Sequence, residues 1–171
     1  MQVVGEKGPN YQDHLGEMLR RLKEKDRARL VAAGVRAYHE AKGGIRPFAD
    51  VHGALLKMRR AGLGLYVASE GKSVKQWDKL LRMNVHKYFD GVFISEDVGA
   101  EKSVKFYSHI MKKLRVHPEE ALMIGDRVER DFVPAKKAGL HAILIDRSAK
   151  KKKPDVARNL QEAAELACAM M

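Results

Sequence analysis

The stretch Ala121-Leu122-Met123-Ile124-Gly125-Asp126-Arg127-Val128-Glu129-Arg130-Asp131 runs from an uninterrupted apolar segment straight into acid. Ala121 to Ile124 carry no polar residue, the pattern of a short strand covered on both faces. Gly125-Asp126 ends that strand. A helix holding Phe132, Val133 and Ala135 follows and stops at Gly139, because glycine readily takes the left-handed conformation that closes a helix. Strand, sharp turn and helix together make half of a βαβ unit.

The same unit recurs on either side. Apolar runs at residues 63–68, 91–94 and 140–145 have the length and composition of buried strands. Between them lie helical patterns: Val51, Leu55 and Met58 after a capping Asp50 and before Gly62; Val74, Trp77, Leu80 and Leu81; and residues 103–114. Pro154 is expected to open a last amphipathic helix containing Val156, Leu160, Ala163 and Leu166. Four alternations with short connections predict an α/β fold, a Rossmann-like parallel sheet with helices on both faces. Crossover helices leave the C-terminal strand ends along one edge, and ligands bind there.

Before this region, residues 11–41 read as helix, with Leu15, Met18, Leu19 and Leu22 and then Leu30, Val31, Val35 and Tyr38 at helical spacing. Gly43-Gly44 ends it and Pro47 marks a reversal.

The 171 residues suit one domain with a small addition, and 45% apolar content excludes a disordered chain. Cys168 is the single cysteine, so no intrachain disulfide forms; a reducing, cytoplasmic setting is expected. No apolar stretch is long enough to span a membrane. A net charge of +11 attracts anions of every kind. Its concentrations at residues 20–29 and 150–153 lack interleaved aromatics and known motifs, so a solvated basic surface is expected, with no specific nucleic-acid partner.

The predicted strand ends deliver Ser69, a loop ending in Lys102, then Asp126 with Asp131, and Asp146. A hydroxyl and backbone amides hold phosphate oxygens, a lysine offsets charge, and carboxylate oxygens hold Mg²⁺. His52, His86, His109, His117 and His141 show no ligand spacing.

The order Val67-Ala68-Ser69-Glu70-Gly71, then Lys102, then Gly125-Asp126-x-x-x-x-Asp131 with Ala138-Gly139 resembles motifs two to four of the haloacid dehalogenase superfamily. Val74-Lys75-Gln76-Trp77 and Tyr88-Phe89-Asp90 resemble an archaeal phosphatase-like branch of it. The likeness covers residues 45–147. It implies a core over residues 45–171 and, in residues 1–44, part of a helical cap. It also implies catalytic roles for Ser69 and Lys102. Phosphate would be bound by Ser69, Lys102 and the Glu70-Gly71 turn, and Mg²⁺ by Asp126 and Asp131.

Two departures stand out. Ser103 follows Lys102 where relatives often have proline. No apolar strand ending in Asp-x-Asp occurs, although the family draws its nucleophile and its acid–base group from that motif; Met1 to Val4 is too short to be that strand. In the family this strand sits between those at 63–68 and 121–124. Either those two close up against each other, or the sequence starts late. The implied function is Mg²⁺-dependent hydrolysis of a small phosphorylated metabolite through an aspartyl-phosphate, with the nucleophile outside this chain. The alternative is a catalytically inactive phosphate-binding or interaction module.

Overall fold

The computed structural model describes Glu6, residues 13–150 (Lys42 by its backbone only) and residues 153–170. Residues 11 and 12 of the expected first helix, the segment Met1 to Val4, and Lys151 and Lys152 of the basic run lie outside the described residues. The chain divides into two compact units, Met1–Arg46 and Pro47–Met171.

The first unit is a helix pair, α1 (His14–Arg21) and α2 (Arg27–Gly43). The single expected helix is thus broken at residues 22–26. Asp13 caps α1 by accepting from Gly16 N at 3.1 Å, and the basic Arg20 and Arg21 suit its C-terminal end.

The second unit runs α3 (Val51–Arg60), β1 (Tyr66–Ser69), α4 (Ser73–Arg82), β2 (Gly91–Ile94), α5 (Ser95–Val98), α6 (Val104–Leu114), β3 (Leu122–Gly125), a π-helical turn (Val128–Phe132), α7 (Val133–Lys137), β4 (His141–Ile145), β5 (Val156–Ala157) and α8 (Leu160–Ala169). All named strand pairs are parallel. Gly62 ends α3 as expected, at φ +84°.

β1, β2 and β3 alternate between two apolar layers, which explains why their apolar runs are continuous. Val67, Val92, Leu122 and Ile124 pack against Leu55 and Met58 of α3, Leu80 of α4, and Ala164 and Ala167 of α8. Ala68, Phe93 and Met123 belong to the opposite layer, with Phe106 and Ile110 of α6 and Ala135 of α7. Helices therefore cover both faces.

The sheet itself is split. β1 pairs with β2, and β3 with β4 and β5, in two separate hydrogen-bonded groups. β1 and β3 contact the same two layers, yet among the described residues they do not pair and no strand joins them. The two have not closed up against each other.

Two local expectations are corrected. Pro154 does not open a helix: Val156 pairs with Leu144 in β5, and α8 starts only at Leu160, capped by Asn159. Asp50 precedes α3 without capping it. Its carboxylate instead accepts from Leu160 N at 2.7 Å and from Arg147 at 3.0 Å, a long-range use that outcompetes the local one.

Candidate active site

The C-terminal ends of β1 and β3 and the loop after α5 bring Ser69, Lys102 and Asp131 into one hydrogen-bonded cluster. Asp131 is 3% exposed, the only buried charged residue among those described. It is placed by the π-helical turn, in which Asp131 N and Phe132 N both bond Arg127 O. Its Oδ2 accepts from Arg127 N at 3.1 Å, and its Oδ1 lies 2.5 Å from Lys102 Nζ. Gly125 is required by this arrangement, since a Cβ there would stand 2.5 Å from Asp131 Cβ.

Glu70 links this pair to β1. Its Oε2 accepts from Lys102 N and from Arg130 Nη1, each at 3.2 Å, and Arg130 Nη1 also bonds Glu101 Oε2 at 2.8 Å. Ser69 Oγ donates to Gln76 Oε1 at 3.0 Å, while Gln76 Nε2 donates to Glu70 O. The Gly71 amide hydrogen goes to Ser95 Oγ at 2.9 Å. Of the turn expected to offer amides to phosphate, Gly71 therefore has an internal partner, and Glu70 uses its side chain on Lys102 and Arg130.

Asp126 stands apart from this cluster. It is exposed at the end of β3 and makes no hydrogen bond or ion pair among the described residues. It lines a cleft of about 720 Å³ with Phe48, Val128, Asp146 and Arg147. Asp146 is pinned by Ser148, whose hydroxyl and amide hold its carboxyl below the ordinary range. Arg147 stacks on Phe48 at 3.8 Å.

Among the described residues no three His, Cys, Asp or Glu side chains gather as a metal cluster. Mg²⁺ suits such a site, because it commonly takes one or two carboxylates and completes its shell with water and substrate oxygens. Asp126 has its oxygens available for this; Asp131 is engaged with Lys102 and fits a supporting place.

Sequence reasoning missed Gln76, Arg130 and Ser95 as members of the cluster. Ser95 and Arg130 belong to it only through partners 24 and 60 residues away, whereas Gln76 joins through Ser69 and Glu70, one helical turn past the end of β1.

The sequence matches the haloacid dehalogenase-like hydrolase family over residues 6–145. The chain belongs to that family. This haloacid dehalogenase-like hydrolase is 39% identical over 148 residues to the glyceraldehyde 3-phosphate phosphatase of Methanopyrus kandleri, covering 85% of this chain and 64% of the relative. It is 32% identical over 147 residues to the protein of the same name from Methanothermobacter thermautotrophicus, covering 85% and 65%. It thus spans just under two thirds of the length of these relatives. A solved haloacid dehalogenase-type phosphatase from Thermococcus onnurineus superposes with a TM-score of 0.63 at 28% identity, over 70% of this chain and 57% of that one. The α/β fold read from the sequence is the fold of this family. No helix among the described residues is long and apolar enough to cross a membrane.

Proposed function

We propose that the full protein is a Mg²⁺-dependent phosphatase for a small phosphorylated metabolite, acting through an aspartyl-phosphate whose aspartate lies outside these 171 residues. The observation that carries this reading is the shielded Lys102–Asp131 pair, tied by Glu70 to the end of β1 that holds Ser69, where β1 and β3 are not paired with each other among the described residues. A strand seated between those two would bring its final residues to that end. The glyceraldehyde 3-phosphate phosphatases among its relatives support a phosphate ester of similar size.

In this reading an aspartate oxygen forms a bond to phosphorus as the ester oxygen leaves with the bond's electrons. Water then cleaves the aspartyl-phosphate, releasing inorganic phosphate and restoring the carboxylate. Ser69 exchanges its bond to Gln76 for one to a phosphoryl oxygen. Lys102 offsets the charge of the phosphoryl group, and Asp131 keeps the ammonium aimed there. Asp126 would hold Mg²⁺, supported by Asp131; the ion supplies further charge neutralisation at the phosphoryl oxygens. Residues 1–44, which include α1 and α2, are read as part of a substrate-selecting cap.

The test joins an apolar strand ending in Asp-x-Asp ahead of the chain. Hydrolysis of p-nitrophenyl phosphate with Mg²⁺, abolished by Asp126→Asn, supports the proposal. Undiminished turnover in the Asn variant refutes the metal assignment. Phosphate and Mg²⁺ binding without turnover in the extended protein favours an inactive binding module, consistent with the absence of any Asp-x-Asp in the sequence.

A further inference from the structure

Glu70 directly follows Ser69, and a carboxylate in that place repels an anionic ligand. Its bonds show what it does instead. One oxygen, Oε2, accepts from the Lys102 amide and from Arg130, and Arg130 bonds Glu101, the residue before Lys102. Three segments meet there: the end of β1, the loop after α5, and the π-helical turn that carries Asp131.

We propose that Glu70 and Arg130 are positioning residues that hold the backbone of Lys102 so that its ammonium stays at the anion site. The inference rests on the reading of Lys102 as a phosphate-binding group. A lysine stem has several rotatable bonds, so an ammonium is only as well placed as the backbone that carries it. Residues 99–103 lie between two helices with no strand to hold them. The amide of Lys102 donates to the Glu70 carboxylate, and Arg130 grips the same loop through Glu101. The guanidinium has a second effect: it offsets the charge on Glu70, which leaves Asp131 as the partner of the Lys102 ammonium. Arg130 is itself held, because the buried Tyr107 hydroxyl donates to its carbonyl at 3.0 Å.

Native-state hydrogen exchange on the 171-residue chain, with calorimetric titration of inorganic phosphate, tests this. In Glu70→Ala the Lys102 amide should exchange at least about tenfold faster and phosphate should bind about tenfold more weakly, the scale of one lost hydrogen bond to a charged group. The amides of Leu122–Gly125 should keep their protection and so report an intact core. Glu70→Gln keeps an oxygen acceptor for Lys102 N and should restore most of the protection, a rescue that bulk destabilisation does not produce. Arg130→Met should speed Lys102 exchange as well. Exchange at Lys102 within about twofold of the parent in Glu70→Ala overturns the inference. If the parent chain binds no phosphate, the functional reading fails, and the positioning inference is decided by the exchange rates alone.

Discussion

Lys102 Nζ and Asp131 Oδ1 lie 2.5 Å apart, with their side chains only 11% and 5% exposed. Water screens such a pair poorly, so each partner depends on the other. Removing one leaves an uncompensated charge, at a cost of about 3–5 kcal/mol. Lys102→Met should lose stability on that scale in urea unfolding. The double variant Lys102→Met/Asp131→Asn should recover part of it, since the orphaned carboxylate is gone. Strictly additive losses in the two single variants and the double one would show that the pair is not coupled.

Gly125→Ala should disturb the same pair without touching a charge. The added methyl would meet Asp131 Cβ and Cγ at 2.5 Å, well inside van der Waals contact. Overpacking of this kind costs about 1–3 kcal/mol. Asp131 would also have to move from Lys102, so phosphate affinity should fall with the unfolding midpoint. A variant of parent stability would mean that the π-helical turn yields easily.

Asp126→Asn should behave in the opposite way. The side chain is exposed and makes no ion pair among the described residues, so stability should stay within about 0.5 kcal/mol of the parent. Calorimetric Mg²⁺ binding should disappear. Retained Mg²⁺ affinity removes Asp126 from the metal site.

Asp50 gives a pH-dependent prediction. Burial opposes its ionisation, but Arg147 and the Leu160 amide outweigh that and hold its pKa below the ordinary carboxylate value. A folded-state pKa that is depressed contributes stability at pH values above the unfolded value, about 3.9, and loses it as pH falls through the folded one. The stability difference between the parent and Asp50→Asn should therefore be largest above about pH 4 and shrink below it. A difference that is flat from neutral pH to strong acid rules this out.

Local pattern told more about strands than about ends. Gly91–Ile94 was legible to the residue, since an apolar run bounded by Asp90 and a helical turn leaves little latitude. The run from Leu63 begins pairing only at Tyr66, where Val92 and its neighbours come alongside. The helix expected from Pro154 failed because Val156 and Ala157 are claimed by Leu144 and Ile145, partners no window around Pro154 contains. Trp77, which shares the apolar helical pattern with Leu80, is 40% exposed on α4, because helical spacing identifies a face without saying what covers it.

The order of chemistry-bearing residues and the two-sided burial of each strand were set by the sequence, because side-chain periodicity and turn residues act over a few neighbours. Folding alone decided that Glu70 faces Lys102 and Arg130, 32 and 60 residues away, and that β1 and β3 lie between common helical layers without pairing. Edge pairing and charge pairing depend on distances in space, and a string of residue types does not contain those distances.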